Sequence, residues 1–298
     1  MKKYNYKTIP DLLLNEEWQI KTNIIETNFK NVRDQICHTF ETLEKQFSSK
    51  KNLKVNKFKK KTWCRDNKNN EYGGGVSSIL KGNLFEKVGV NISTVSGQFP
   101  NDFKNQIKGA VNDPRFFATG ISVVAHMFSP FIPAAHFNSR FIITKDAWFG
   151  GGCDLTPTYN EKKVKNEFHR SLKKFCDTYD KTYYKKFSNW CSEYFFLKHR
   201  NEERGIGGIF FDYLDAKSIN NFNFTLETGN FFCTFFKDVI RKNQSKAWSL
   251  KNREKLFKKR SRYAEFNLLY DKGTTFGLKT NGNVDAILMS MPPLASWS

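Results

Sequence analysis

The sequence lacks the cysteine spacing that metal ribbons and iron–sulfur clusters need. No two cysteines are close enough to form a C-x-x-C pair, which argues against a Cys-rich metal centre. The six cysteines are scattered along the chain, at Cys37, Cys64, Cys153, Cys176, Cys191 and Cys233. Scattered, reduced thiols are typical of a cytosolic protein, so we expect a cytoplasmic location.

Long hydrophobic runs and standard nucleotide motifs are missing as well. A membrane-spanning helix needs about 20 consecutive apolar residues, and no stretch approaches that length. The apolar run near the N-terminus is three leucines, too short for a signal peptide. There is no G-x-x-x-x-G-K-[ST] motif, and Gly205-Ile206-Gly207-Gly208 lacks the third glycine of a dinucleotide fingerprint. We therefore expect a protein that is not integral to a membrane and not a P-loop or Rossmann enzyme.

Positive charge, in contrast, is abundant, with a formal net charge of +20. Such an excess is typical of binding to nucleic acid, to an acidic membrane surface or to an anionic substrate. The chain is also rich in Lys, Asn, Phe and Ile together, which favours a composition bias that spreads lysine over the surface. A basic nucleic-acid-binding protein, stacking bases on Phe58 and Trp63 of the Lys/Asn-rich segment 48–70, is the alternative. Because charge runs are more often solvated surface, we predict an exposed segment there and no nucleic-acid partner.

Hydrophobic spacing predicts an α+β fold in a single domain spanning 1–298. Apolar residues at steps of three and four from Ile25 to Phe47 predict an amphipathic helix. Helical spacing also follows Glu161 and continues to about Arg260. Runs rich in β-branched and aromatic residues predict strands at 76–80, 84–95, 120–128, 135–144 and 208–213. Turn signals further predict a terminal hairpin from Tyr263–Tyr270, Thr274–Lys279 and Val284–Met291. Strands at both ends with helices between them favour a largely antiparallel sheet.

Polar side chains concentrate on one face of the predicted strand 135–144. Successive residues of a strand point to opposite faces, so His136, Asn138 and Arg140 share one face. If the preceding strand pairs with it antiparallel, His126 lies near the same end of the sheet. Such a face is costly to bury without partners, so we expect it to line a wet cleft. The planar guanidinium of Arg140 suits a carboxylate ligand.

A glycine run, Gly150–Gly152, follows this strand and leads to Asp154. We expect a glycine turn, after which Asp154 either presents a fixed carboxylate or caps the turn through backbone N–H groups. From the residues alone, the cap is favoured. His169 and His199 lie on predicted helices without metal-motif spacing, so hydrogen-bonded structural histidines are the default interpretation for both.

These segments resemble the oxygen-dependent coproporphyrinogen III oxidase family of haem biosynthesis. The resemblance is carried by five stretches, 73–97 (GGGVSSILKGNLFEKVGVNISTVSG), 120–140 (GISVVAHMFSPFIPAAHFNSR), 148–159 (WFGGGCDLTPTY), 190–214 (WCSEYFFLKHRNEERGIGGIFFDYL) and 262–293 (RYAEFNLLYDKGTTFGLKTNGNVDAILMSMPP). It runs in order from about Phe29 to the C-terminus. An N-terminal extension, 1–22, and the Lys/Asn-rich segment 48–70 fall outside it.

The resemblance implies a large, flat antiparallel sheet flanked by helices on both sides, in a homodimer. It implies oxidative decarboxylation of two propionates of coproporphyrinogen III to vinyl groups, giving protoporphyrinogen IX. Molecular oxygen would be the co-substrate, with no organic cofactor. A tetrapyrrole carrier that keeps the cleft without turnover is the second alternative.

The resemblance also implies roles for individual residues. The implied catalytic residues are His136 as proton donor, Asp154 near the pyrrole N–H groups, and Arg140. The implied substrate-binding residues are Ser122, Asn138, Ser139, Arg140, Asn281, Gly282 and Asn283. The implied ligands of a divalent metal cation are His126, His136, His169 and His199. Many members have Gly-Gly-Arg where this chain has Asn281-Gly282-Asn283, so carboxylate contact there would use backbone N–H groups.

Overall fold

The centre of the protein is a seven-stranded sheet in which every neighbouring pair is antiparallel, in the order β1-β2-β3-β4-β5-β6-β9. The computed structural model describes residues 9–65, 72–279 and 282–298. The strands are β1 Lys59–Cys64, β2 Tyr72–Leu80, β3 Phe85–Gln98, β4 Arg115–Met127, β5 Ala134–Ile143, β6 Ala147–Thr156 and β9 Gly208–Asp215, with a two-stranded ribbon of β7 Phe196–Leu197 and β8 Glu202–Glu203.

Helices occupy most of the remaining described chain. They are α1 Glu16–Lys50, α2 Asn101–Lys104, α3 Glu161–Cys176, α4 Tyr183–Tyr194, α5 Ile219–Asn243, α6 Leu250–Leu269, α7 Lys272–Lys279 and α8 Val284–Ile287, with short 3-10 turns at Asp11–Leu14 and Leu288–Ser290. Helix α1 begins where Asn15 Oδ1 accepts a hydrogen bond from the Glu17 N–H at 2.8 Å. Its predicted apolar stripe is buried from Ile25 to Leu43, so the helix predicted there is confirmed and extends further in both directions.

Helices α1 and α5 cover one face of the sheet. Along β5 the buried residues alternate, and Phe137 stacks on Phe232 of α5 with ring centroids 5.4 Å apart. The two helices approach closely at Gly229, where an added Cβ would lie 2.6 Å from a Val32 methyl carbon. Burial of each such aromatic or aliphatic side chain contributes about 1.5–3 kcal/mol, and this face holds the main core.

Helix α6 and the C-terminal segment cover part of the other face. Glu86 on β3 accepts hydrogen bonds from Arg253 at 2.9 Å and from Arg260 at 2.7 Å, both on α6. Lys87 Nζ donates to the Met291 carbonyl at 2.9 Å. Helices therefore lie on both faces of an antiparallel sheet, and the predicted α+β class is confirmed.

The predicted C-terminal hairpin is wrong, because these residues form helices. Residues 263–269 belong to α6, which starts at a capping box formed by Ser249 and Asn252. The first predicted turn, 271–273, is the capped start of α7, and Asn281 of the second predicted turn, 281–282, lies outside the described residues. Asp271 Oδ2 accepts from the Thr274 N–H at 2.7 Å, and Asn283 Oδ1 accepts from the Ala286 N–H at 2.9 Å.

The expectation of an exposed arm over 48–70 is also wrong in part, and its positions 66–70 lie outside the described residues. Lys59–Cys64 forms the edge strand β1, whose three lysines are exposed; lysines on an edge strand discourage pairing with another chain. Trp63 Nε1 donates to Asn91 Oδ1 at 3.3 Å, and Phe58 packs on the main core. Both rings are partly buried against the protein, so neither is presented as an open stacking surface.

Candidate active site

Strand register brings the predicted polar face together. The pairing of β4 with β5 places Ser122 opposite Asn138, and the pairing of β5 with β6 places His136 opposite Asp154. Directly opposed residues of neighbouring strands point to the same face. His136, Asn138, Arg140, Ser122 and Asp154 therefore share one face, and the antiparallel pairing predicted from the sequence is confirmed.

Asp154 holds His136 in one orientation. His136 Nδ1 lies 2.7 Å from Asp154 Oδ1, and Arg204 Nη2 donates to Asp154 Oδ2. Asp154 is only 3% exposed. Burial works to raise the pKa of Asp154, but Arg204 and His136 outweigh it and hold that pKa below the usual value. The carboxylate is therefore ionised and can only accept hydrogen bonds.

The protonation of His136 follows from this arrangement. Because ionised Asp154 is an acceptor, His136 Nδ1 carries the proton of the neutral ring. Nε2 then has a free lone pair, which accepts from Asn138 Nδ2 at 3.2 Å. A histidine held by a carboxylate in this tautomer can take up and return a proton at Nε2.

Sequence reasoning missed Arg204, which lies 50 positions from Asp154. Arg204 is 1% exposed. Its guanidinium lies among aromatic rings, with the central carbon 4.0 Å from the Phe195 centroid and 4.4 Å from the Tyr263 centroid. Arginine stacks on ring faces by cation–π attraction. The only signal in the sequence was its presence within the family-like segment 190–214, since no spacing rule connects it to Asp154.

Arg140 lies further along the same face and is partly open to solvent, with 30% of its side chain exposed. Its Nη2 donates to Asp212 Oδ2 at 2.7 Å, and its guanidinium lies over the Phe210 ring at 5.5 Å. Phe210 is itself stacked on Tyr194 with centroids 4.4 Å apart. Asp212 is the single hydrogen-bond acceptor of this guanidinium among the described residues, so Arg140 keeps several N–H donors for an anionic ligand.

The glycine run does not form the expected turn, because Gly150–Gly152 lie inside β6. The glycine run does allow the backbone of the neighbouring strand β5 to approach closely. An added Cβ at Gly151 would lie 2.5 Å from the Asn138 carbonyl oxygen. Asp154 is accordingly a strand residue bonded to the side chains of His136 and Arg204, and the turn cap favoured from the residues alone is wrong.

Other predicted substrate residues are not all brought to this face. Ser122 is half-buried on it. Ser139 points to the opposite face, where its buried hydroxyl donates to the Thr225 carbonyl at 3.0 Å. Asn281 lies outside the described residues. The Gly282 N–H donates to the Gly277 carbonyl at 2.8 Å, and Asn283 caps α8, so the substrate contact at 281–283 stays a prediction.

The four histidines implied as metal ligands have separate partners. His126 Nε2 donates to the Ser290 carbonyl at 2.9 Å, and His199 lies 2.8 Å from Glu265 Oε2. His169 lies 2.8 Å from the Ile206 carbonyl and 3.0 Å from the Tyr184 hydroxyl. Across residues 9–65, 72–279 and 282–298, no three His, Cys, Asp or Glu side chains are grouped to hold a metal ion. The set therefore does not fit a shared metal site.

Burial keeps His126 neutral. Its pKa is lowered to about 3, chiefly because the ring is buried and also because Arg260 lies nearby. Burial lowers the pKa of His169 as well. Both rings donate to or accept from fixed protein groups, which agrees with a structural role for each.

Within the described ranges, no helix has the length and apolarity needed to cross a membrane.

A sheet face that combines a partly exposed arginine with a carboxylate-held histidine has the side chains that an enzyme needs to act on an anionic ligand. The chain belongs to the coproporphyrinogen III oxidase family, whose sequence model, described as coproporphyrinogen III oxidase, matches residues 24–298. This confirms the family indicated by the sequence motifs.

Individual relatives agree with the family assignment. An oxygen-dependent coproporphyrinogen-III oxidase of Rickettsia bellii (strain OSU 85-389) is 50% identical over 271 residues, covering 91% of this chain and 96% of that protein. One of Rickettsia africae (strain ESF-5) is 51% identical over 266 residues, covering 89% and 94%. One of Rickettsia akari (strain Hartford) is 49% identical over 277 residues, covering 92% and 98%.

Proposed function

We propose that this protein is an oxygen-dependent coproporphyrinogen III oxidase. It would convert two propionates of coproporphyrinogen III to vinyl groups and so form protoporphyrinogen IX in haem biosynthesis. The observation that carries the proposal is the placement of Arg140, His136 and Asp154 on one sheet face. Family membership and the activity that gives relatives about 50% identical over most of the chain their name support it. No contact of the described residues favours the nucleic-acid or carrier alternative.

Arg140 anchors a substrate propionate in this proposal. A guanidinium offers N–H donors in a planar fork that matches a carboxylate, and charge-assisted bonds of this kind are worth about 1.5–3 kcal/mol each. Within the described part of the chain Arg140 has one acceptor, Asp212, and it is partly exposed. The remaining donors can therefore bind a carboxylate that arrives from solvent.

His136 moves the proton in this proposal. Its Nε2 lone pair takes the pyrrole N–H proton, which makes the ring electron-rich and reactive towards oxygen. For each propionate the β-carbon then gives a hydride equivalent to oxygen, which with one proton becomes hydrogen peroxide. The bond between the α-carbon and the carboxylate carbon breaks, which releases carbon dioxide and leaves the vinyl group. The two electrons that oxygen receives come from the propionate, so the step needs no further oxidant and no organic cofactor.

Asp154 acts through His136. Both of its oxygens are engaged by protein donors and the side chain is buried. This geometry supports a role in fixing the tautomer of His136, rather than the direct contact with pyrrole N–H groups that the resemblance implies. Asn138, beside Nε2, would release that nitrogen when substrate binds.

The oligomeric state and the cellular location are also proposed. A homodimer is supported by exposed apolar side chains near the C-terminal end, among them Leu268, Leu269 and Trp297, and light scattering of the purified protein would measure it. A cytoplasmic location is supported by six free cysteines, of which only Cys64 is exposed.

An assay with coproporphyrinogen III under air and under nitrogen, each with and without a chelator, tests the proposed function. We expect protoporphyrinogen IX under air only. Since the four histidines have separate partners, we expect the chelator to leave the rate unchanged. Product formed without oxygen would contradict the proposed reaction.

A further inference from the structure

The edge strand β9 carries an irregularity directly beside Arg140. On β6, Phe149 pairs with Leu214 and Gly151 pairs with Phe211. Asp212 and Tyr213 therefore both stand opposite the single residue Gly150, which is a β-bulge. Tyr213 has φ of 56°, in the left-handed region that a bulky side chain rarely adopts. Bulges of this kind re-aim side chains and are found next to active sites.

The side chain that this bulge directs is Asp212. Its carboxylate accepts three hydrogen bonds, from Arg140 Nη2 at 2.7 Å, from Trp148 Nε1 at 3.0 Å and from the Tyr213 N–H at 3.0 Å. Trp148 is only 2% exposed, so its indole is a fixed donor. Asp212 is thus held on two sides by the protein and presents its second oxygen to Arg140.

Gly150 leaves the space that this ion pair occupies. A Cβ at that position would lie 2.5 Å from Asp212 Oδ1 and 2.7 Å from Arg140 Nε. The third wall is Phe210, whose ring lies below the guanidinium at 5.5 Å. Together, the β9 bulge, Trp148, Gly150 and Phe210 fix the guanidinium of Arg140 in place. Part of the guanidinium nevertheless stays exposed to solvent.

We propose that Asp212 is a positioning residue for substrate recognition, which acts by fixing the guanidinium of Arg140 against β6 so that its free N–H donors meet a propionate in one orientation. The inference rests on the proposed role of Arg140 as the propionate anchor. Asp212 does not touch the substrate, because its oxygens are already occupied by Trp148, Tyr213 and Arg140. Misplacing an anchor by about 1 Å can cost roughly 10²-fold in rate, and the same size of effect is expected here.

A double-mutant cycle over Arg140 and Asp212 tests this. The values of kcat/KM for coproporphyrinogen III are measured for Arg140→Ala, Asp212→Ala and the double variant. We expect Arg140→Ala to lower kcat/KM, and Asp212→Ala to lower it by about 10–10²-fold, mainly through a higher KM. The double variant should equal Arg140→Ala alone, since a residue that acts only through Arg140 has no effect without it.

Two further variants separate positioning from folding. Asp212→Asn keeps the volume and the acceptor for Trp148 but turns an amide N–H towards Arg140, so it should be folded and show the loss of Asp212→Ala. Asp215→Ala removes another β9 carboxylate, one that accepts from the Lys217 N–H at 2.9 Å, and should keep wild-type kinetics.

The outcomes are distinguishable. If Arg140→Ala impairs the enzyme and the effect of Asp212→Ala multiplies with it, Asp212 acts independently and the positioning inference is overturned. Wild-type kinetics of folded Asp212→Asn would also overturn it. If Arg140→Ala itself keeps wild-type kcat/KM, the proposed propionate anchor fails and the inference fails with it.

Discussion

His136 Nδ1 and Asp154 Oδ1 lie 2.7 Å apart, on adjacent strands in direct register. The other oxygen of the carboxylate is held by Arg204, so the pair is fixed from both sides. In the proposed mechanism, Asp154 and Arg204 therefore position His136, and His136 is the residue that acts on the substrate.

Replacement of Asp154 by Asn is expected to lower kcat more than it changes KM. The amide keeps the volume, but it no longer favours the proton on His136 Nδ1, and a positioned acid or base is worth about 10²–10⁴-fold in rate. Steady-state kinetics with coproporphyrinogen III provide the measurement. A large rise in KM with unchanged kcat would place Asp154 on the substrate instead.

Arg204→Met is expected to destabilise the protein by about 3–5 kcal/mol, because it leaves a buried carboxylate without its partner. Urea unfolding at neutral pH measures the change. Lys108→Met is the control, since it removes an ion pair with Asp146 in which both side chains are about half exposed, and such pairs are worth about 0–1 kcal/mol. Equal losses of unfolding free energy in the two variants would show that the buried Asp154–Arg204 pair contributes no more to stability than an exposed ion pair.

His126 should make stability depend on pH. Its pKa is about 3 in the folded protein against an ordinary value of 6.5, so between these values the unfolded chain binds a proton that the folded chain does not. The free energy of unfolding then rises with pH across this window. The stability that neutral His126 contributes is fully present above about pH 6.5 and is lost as the pH falls towards 3. His126→Gln should flatten the dependence measured by urea titrations between those limits. An unchanged slope would contradict the buried, neutral state of His126.

Gly150→Ala is expected to reproduce the kinetic loss of Asp212→Ala, because its Cβ would collide with the Arg140–Asp212 pair. The measurement is kcat/KM together with a thermal unfolding curve. Gly273→Ala is the control, since its Cβ would meet nothing closer than 3.3 Å. Wild-type kinetics of folded Gly150→Ala would show that the pair can shift without consequence.

Local patterns in the sequence predicted the features that depend only on the alternation of residues along a strand or on their spacing along a helix. Alternation along β5 placed His136, Asn138 and Arg140 on one face, and helical spacing predicted α1. Asp212 and Arg204 could not be found in this way, because each meets its partner through tertiary contacts across 72 and 50 positions. The C-terminal residues were mistaken for strands in part because Asp271, which was read as a turn residue, is a helix cap.

Turnover of coproporphyrinogen III under air by purified His136→Gln protein tests the assignment of the chemistry to this sheet face most directly. We predict that kcat falls by about 10²–10⁴-fold while the unfolding curve stays close to that of the wild type. A folded His136→Gln protein with the wild-type kcat would contradict the assignment.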